Sequence, residues 1–200
     1  MRRGILPLAQ AVLVLLLVAG CAHRVDGPAS MPPQSIKPPA VSAADLAFAE
    51  GETEMQRGNY ERALEMFAAV WKESPGHPGV SKDFPEALSA LKTRGDDAFR
   101  HGKLEEAGRH WAGVLRFASH PAEKGRHLPF TKSEIRASID RVSSSLMEKG
   151  LIEYRKGNLD AAIALWKSIL AYDPSHVEAA GSVRTATTQL ENLKKIGPAK

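Results

Sequence analysis

The residue with the clearest chemistry of its own is Cys21, the only cysteine in a chain of 200 residues. It follows Val18, Ala19 and Gly20 at the end of an apolar run that begins near Ile5, behind two arginines. A basic start, an apolar middle and small residues before a cut are the three zones of a secretory signal. The run is interrupted by a proline and a glutamine, and a membrane-spanning helix needs roughly 20 consecutive apolar residues. We therefore expect residues 1–20 to be a cleaved export signal.

A single thiol at this cleavage point has no disulfide partner within the chain. The tetrapeptide Val18-Ala19-Gly20-Cys21 resembles the lipobox of bacterial lipoproteins. The resemblance implies that the Cys21 thiol takes a diacylglyceryl group, that the signal is cut before it, and that the new amine is acylated. Three acyl chains hold a protein to a membrane stably, whereas one holds it only marginally. The alternative is an ordinary signal peptide with a chance cysteine.

The residue after the cysteine bears on location. Ala22 is not the aspartate that retains such lipoproteins in the inner membrane of Gram-negative cells. The resemblance therefore implies an outer-membrane lipoprotein that faces the periplasm.

Other residue spacings give little support to catalysis. Gly95, Gly102 and Lys103 superficially resemble a phosphate-binding loop, but the spacing differs and no serine or threonine follows the lysine. His120 and His127 flank an insertion that could hold a surface metal, although a solvated loop is the simpler interpretation and no HExxH pair is present. There is also no GxSxG motif. The sequence predicts a protein that is not an enzyme, with no metal, no cofactor and no small-molecule substrate.

Residues 21–42 comprise the lipidated cysteine and a proline-rich linker. Five prolines and hardly any large apolar side chains occur there. Such a segment cannot bury enough surface to offset its ordering entropy, so we expect it to be disordered. At about 3.1 Å per residue in polyproline form, some 20 residues would reach at most about 60 Å.

The stretch 43–197 is rich in helix-forming residues and contains three copies of one pattern. In each copy a glycine is followed by a second glycine after seven residues, by an alanine five residues later and by an aromatic after four more. These repeat-defining residues are Gly51, Gly58, Ala63 and Phe67; Gly95, Gly102, Ala107 and Trp111; and Gly150, Gly157, Ala162 and Trp166. The second glycine permits the left-handed backbone that ends one helix before the next begins, which predicts a helical hairpin. We expect the first glycine to face the alanine, so that the paired helices cross closely.

The pattern resembles the tetratricopeptide repeat (TPR), with a small residue at position 8, glycine at 15, alanine at 20, an aromatic at 24 and proline at 32. The units lie at about residues 44–77, 88–121 and 143–176, and they diverge from the family. Its leucine at position 7 is replaced by Glu50, Arg94 and Lys149. The resemblance implies an all-α, TPR-like α-solenoid of three divergent helical hairpins, closed by a capping helix over 175–196.

The units are separated by insertions, because the turn glycines lie 44 and 55 residues apart and the family period is 34. The first insertion, Gly76 to Lys82, is predicted to be a loop, followed by a helix whose capping sequence starts at Asp83. After the second insertion, a capping box at Thr131 predicts a long helix that runs to Gly157. Ser143 and the two serines after it are expected on the surface of that helix.

In the family, the first helix of each hairpin lines the inner face of the solenoid, where a partner binds. The matching positions give a predicted partner-binding groove of Glu52, Gln56, Lys92, Asp96, Arg100, Met147, Leu151 and Arg155. The family's clamp for a terminal carboxylate needs asparagine at position 9, which this chain lacks. Met55, Phe99 and Tyr154 fit either the groove or the core of the helix pair.

Charge is uneven along the repeats. Residues 45–86 hold nine acidic and four basic side chains, whereas residues 92–141 hold eleven basic and seven acidic ones. The two segments are either complementary faces for a partner or another copy, or simply solvated helix surfaces, which is the preferred interpretation. Nucleic acid is not an expected partner for an exported chain.

Two functions follow from these features. The first is a membrane-anchored adaptor of the bacterial cell envelope that binds an envelope protein in the TPR groove, in assembly of a pilus, secretion or outer-membrane complex. The second is a non-catalytic regulator of an envelope enzyme that acts on peptidoglycan or polysaccharide.

Overall fold

The computed structural model describes residues 42–123 and 128–197, which fold into helices without any strand. The helices are α1 (Ala43–Gln56), α2 (Tyr60–Glu73), α3 (Pro78–Arg100), α4 (Leu104–Phe117), α5 (Lys132–Arg155), α6 (Leu159–Tyr172) and α7 (Val177–Ile196). A 3-10 turn (Pro121–Glu123) lies between α4 and α5. The all-helical prediction is thus confirmed over the described ranges. The predicted signal 1–20, Cys21 and all of the 21–42 linker except Ser42 lie outside them.

The first six helices form three hairpins, and the same turn closes each of them. Gly58, Gly102 and Gly157 have φ of 79°, 72° and 82°. In the first turn the Gly58 amide donates to Met55 O and the Asn59 amide donates to Glu54 O, at 3.0 and 2.9 Å, and the other two turns repeat this pair of bonds. The pair defines a Schellman motif, which satisfies the last carbonyls of a helix and requires a left-handed residue. Three identical turns therefore give three hairpins of the same local geometry.

The second helix of every hairpin is 14 residues long and starts two residues after the turn glycine. Its apolar residues recur at three- and four-residue steps, which puts them on one face. The alanine of the pattern is fully buried in each case, at Ala63, Ala107 and Ala162. Buried apolar side chains from each of the helices α2 to α7 belong to one hydrophobic cluster, against which residues of α1 pack.

The side chain nearest to the first glycine of each pattern is that of the aromatic residue. A Cβ at Gly51 would lie 2.6 Å from Phe67 Cε1, and one at Gly95 would lie 2.5 Å from Trp111 Nε1. At Gly150 the same construction runs into Trp166. The missing side chain makes room for a large ring, so the close approach is between backbone and aromatic.

Helix α3 begins earlier than predicted. The expected loop from Gly76 to Lys82 is helical from Pro78 onward, because the His77 ring accepts the Val80 amide at 3.3 Å and caps the helix. A proline in the first turn is compatible with this start, since its missing N–H would have no partner there. Asp83, expected to open the helix, lies inside it and is buried.

The other helix starts differ less from expectation. Thr131 caps α5 with the complete box to Glu134, as the sequence indicated. The capping helix α7 starts at Val177 and not at 175, because His176 caps it through the Ala179 amide. Ser143 was expected on the surface but is 2% exposed, and its hydroxyl lies 3.0 Å from Tyr172 Oη.

Candidate partner-binding groove

The eight predicted groove residues lie on the first helices of the hairpins, α1, α3 and α5. Gln56, Arg100, Leu151 and Arg155 are exposed, whereas Glu52, Lys92, Asp96 and Met147 are partly buried. Leu151 is 41% exposed, which is high for a large apolar side chain. These residues mix apolar, acidic and basic groups, a composition suited to binding a peptide or helix.

Part of the groove is fixed by bonds to the second helix of the same hairpin. Asp96 accepts one hydrogen bond from Trp111 Nε1 at 3.1 Å and pairs with Lys92 Nζ at 2.6 Å. The carboxylate therefore joins the groove surface to the buried indole of the pattern. In the third hairpin the backbone carbonyl of Met147 accepts a hydrogen bond from Trp166 Nε1 at 3.2 Å.

The exposed groove residues are less constrained. Arg100 forms an ion pair with Asp97 on its own helix. Gln56, Leu151 and Arg155 make no side-chain hydrogen bond or ion pair within residues 42–123 and 128–197. Their side chains are available to a partner.

Charged groups link neighbouring first helices. The pKa of Lys82 on α3 is raised, chiefly by Asp83 and in small part by Glu52 on α1. The pKa of Glu134 on α5 is lowered, mainly by its bonds to Thr131 and to a lesser extent by Lys92 on α3. The charge of Glu52 on α1 thus has a small effect on α3, and that of Lys92 on α3 has a small effect on α5.

The half-buried aromatics of the first helices pack into the hairpins. The ring of Phe99 lies 5.7 Å from that of Trp111, and the ring of Tyr154 lies 5.8 Å from that of Trp166. Met55 also packs against the core. Of the two roles that the sequence left open for these residues, the structure supports the core.

A side-chain lock at the turns was not anticipated. In the first hairpin Glu54 accepts hydrogen bonds from Arg57 and Asn59, each at 2.7 Å. In the third, Glu153 accepts from Lys156 at 2.8 Å and Asn158 at 2.7 Å. These bonds lower the pKa of both glutamates. The shared spacing of acid, cation and asparagine around the turn glycine was visible in the sequence and could have indicated the lock.

Histidines take structural roles that sequence reasoning missed. His77 Nδ1 and His176 Nδ1 accept the amides that cap α3 and α7, and His120 Nδ1 accepts the Ala122 amide at 3.3 Å. The His120 ring stacks on Phe84 with 4.7 Å between centroids, and burial lowers its pKa. His120 is therefore packed against α3 and is not part of a solvated loop; His127 lies outside the described residues.

His77 also joins two helices. Its Nε2 lies 3.2 Å from Asp45 Oδ1, and Asp45 in turn accepts the Ser42 hydroxyl at 2.7 Å. The arrangement differs from a nucleophile triad, in which the histidine must stand between the other two. It ties the start of α1 to the start of α3.

Among residues 42–123 and 128–197, no group of three acidic, histidine or cysteine side chains could hold a metal ion. Within that part of the chain, none of the helices combines the length and apolarity that crossing a membrane demands.

Comparison with known proteins bears on the first two hairpins. No curated protein matches the chain. Residues 48–118, which run from α1 to the residue after α4, match a family model of the tetratricopeptide repeat. This stretch is therefore similar to a family that is typically a non-catalytic module and binds other proteins.

Proposed function

We propose that this protein is a membrane-anchored adaptor of the bacterial cell envelope, which binds a partner protein along the first helices of its repeats. The observation that carries the proposal is the stack of three hairpins with the same turn and the same glycine–aromatic contact, the first two of which match a protein-interaction family. A repeat of this kind supplies a surface and not a reaction centre.

The groove chemistry supports a polypeptide ligand. The exposed Gln56, Leu151 and Arg155 offer an amide, an apolar surface and a guanidinium that no described side chain engages. A helix or extended segment is recognised by such a mixture, with apolar contact for affinity and polar contact for orientation. The proposed ligand is a component of a pilus, secretion or outer-membrane complex.

The anchor supports the envelope location. Cys21 behind three small or apolar residues provides a thiol for lipid, and the proline-rich residues up to Ser42 provide a tether. Ser42 caps the first described helix, α1. The groove would then be held near the periplasmic face of the outer membrane.

The anchor is tested by Cys21→Ala in growing cells supplied with a radiolabelled fatty acid. The wild-type chain should incorporate label and sediment with the outer membrane, whereas the variant should be unlabelled and leave the membrane fraction. Ala22→Asp is the matched control, because it should keep the label while moving the protein to the inner membrane. Label that persists in Cys21→Ala would refute the anchor.

A further inference from the structure

Two cavities occupy equivalent places at successive junctions between hairpins. The first, of about 390 Å³, lies between the turn at Gly58 and helices α3 and α4, and the second, of about 450 Å³, lies between the turn at Gly102 and helices α5 and α6. Leu91 and Arg94 line the first where Leu146 and Lys149 line the second. The two sites are thus copies of one inter-hairpin pocket.

Arg94 and Lys149 are two of the three residues that depart from the repeat pattern at position 7, and the third, Glu50, lies in the first hairpin, which has no preceding turn. A leucine there would close the junction with an apolar side chain, whereas these residues place a cation beside the preceding turn. The departure occurs at both junctions and at the same place in each pocket, so it is a feature of the stack and not of one helix.

Most charges around the first pocket are paired. Arg62 pairs with Glu65 at 3.1 Å, and Arg116 reaches Glu61 and Glu65 at 2.7 and 3.2 Å. Arg94 has no hydrogen bond or ion pair with any described residue. One cation is left without a carboxylate.

Most charged side chains around the second pocket are also paired. Lys103 pairs with Glu106 at 3.3 Å, and Arg109 lies 4.0 Å from Glu105. Within the described part of the chain Lys149 forms no ion pair or hydrogen bond. Each junction therefore carries one unmatched positive charge.

The unmatched guanidinium of the first pocket is held in place by its surroundings. Arg94 Cζ lies 5.5 Å from the centre of the Tyr60 ring, and a Cβ at Gly58 would lie 2.7 Å from Arg94 Nη2. A cation over an aromatic face keeps its in-plane N–H donors free for another acceptor. Burial is the main cause of a lowered pKa at the neighbouring His110; Glu106 opposes that shift and Arg94 adds to it.

We propose that the two junction pockets are paired sockets for the carboxylate side chains of an acidic segment in the partner protein. Arg94 and Lys149 would each bind one carboxylate. The apolar walls, which include Tyr60 and Leu91 in one pocket and Leu104 and Leu146 in the other, would take the methylene stem. The proposal rests on the proposed function only for the partner being a protein, and it adds a site distinct from the predicted groove.

A protein segment fits these pockets better than an anionic lipid surface. A lipid surface is bound by a broad basic face, whereas here each pocket has one cation without an ion-pair partner, Arg94 or Lys149, and its other basic side chains are paired with glutamates. Recessed sites at two junctions suit side chains spaced along one chain. Two weak sites on one ligand also reinforce each other through effective concentration.

The probe is a fluorescein-labelled peptide of sixteen glutamates, with its glutamine counterpart as the uncharged control. Fluorescence anisotropy measures binding to the full-length lipoprotein in a non-ionic detergent. Arg94→Gln and Lys149→Gln should each weaken binding of the glutamate peptide by about two- to fivefold, the range for exposed ion pairs. The double variant should weaken binding by about the product of these two factors, and its affinity should depend less steeply on salt.

Arg136→Gln is the matched control, since Arg136 is an exposed cation on α5 that lines neither pocket. Arg136→Gln should leave the affinity unchanged. Arg94→Lys and Lys149→Arg should retain most of the affinity. Because these conservative variants keep the charge, they distinguish loss of the cation from loss of folding in the glutamine variants. Equal weakening by Arg136→Gln, or no weakening by the double variant, would overturn the proposal.

Two further results separate the possible explanations. Displacement of the peptide by soluble dihexanoyl-phosphatidylglycerol as effectively as by unlabelled peptide would assign the pockets to lipid headgroups and contradict the proposal. If the glutamate peptide fails to bind while groove positions still capture a partner in cells, the pocket proposal fails and the proposed function stands.

Discussion

The indole of Trp111 lies against the bare backbone of Gly95, so that a Cβ at position 95 would stand 2.5 Å from Nε1 and 2.6 Å from Cδ1. The same indole nitrogen donates to Asp96, the next residue along α3. One ring therefore sets both the spacing of the hairpin and the position of a carboxylate on the predicted groove.

Gly95→Ala should destabilise the protein although alanine favours helix. The added methyl group forces the indole to move, and overpacking of this kind costs about 1–3 kcal/mol, which exceeds the roughly 1 kcal/mol gained in helix propensity. Gly181→Ala is the matched control, because the nearest atom to its Cβ would be 3.9 Å away, on Arg184. Urea unfolding should show a lower midpoint for the first and an equal or higher midpoint for the second; the same change in both would contradict the contact.

The alanine of the pattern gives a second test of packing. Ala162 is 0% exposed on α6, and the adjacent Ala161 is exposed. Ala162→Phe should lower the free energy of unfolding by about 1–3 kcal/mol, since no room exists for the ring, while Ala161→Phe should change it little. If thermal denaturation followed by circular dichroism gives both variants the wild-type midpoint, the assigned helix face is wrong.

The start of α5 depends on its capping box. Thr131 Oγ1 accepts the Glu134 amide at 3.2 Å, and Glu134 accepts the Thr131 amide at 2.6 Å. Thr131→Ala should cost about 1 kcal/mol of stability. Ser133→Ala, an exposed position in the same first turn, serves as the control and should be close to neutral. A Thr131→Ala protein as stable as Ser133→Ala would argue against the cap.

Burial of His120 makes stability depend on pH. Its folded pKa lies below the unfolded value near 6.5. The unfolded chain thus binds the proton more tightly, and the contribution of His120 to stability is fully present above the unfolded pKa and declines as the pH falls below it.

The variant His120→Asn keeps an acceptor for the Ala122 amide and removes the titration. The loss of urea midpoint between about pH 7.5 and pH 5.5 should therefore be smaller in this variant than in the wild type. His101→Asn, at an exposed position, is the control variant, and its urea midpoint should fall as much as that of the wild type. Identical slopes for all three proteins would contradict a lowered pKa at the partly buried His120.

The sequence predicted what depends on short-range pattern. The turn glycines, the apolar faces of the second helices and the Thr131 cap follow from local spacing, and the structure places all of them as local rules require. The predicted start of α3 was wrong because Pro78 was expected to lie in a loop, whereas the His77 side chain caps a helix that begins at Pro78. The contact of Gly95 with Trp111 and the burial of Ser143 under Tyr172 depend on which residues meet across helices, which spacing along the chain does not specify.

The candidate site likewise combines features that the sequence predicts with features that only the fold shows. Its positions on α1, α3 and α5 came from the repeat register, but the fixing of Asp96 by Trp111 and the surplus cation at Arg94 are tertiary features. The sequence shows that Arg94 and Lys149 depart from the repeat pattern at position 7. Only the fold shows that these two residues lie beside the turn of the preceding hairpin.

The central claim, recognition of a protein along the first helices, is tested most directly by photo-cross-linking in living cells. A photoreactive residue is placed at Arg100 or Arg155 on the groove, or at Ala69 or Lys167, which are exposed on the second helices α2 and α6. Both groove positions should capture the same envelope protein, and both second-helix positions should capture none of it. Capture of that protein equally from all four positions, or only from Ala69 and Lys167, would contradict it.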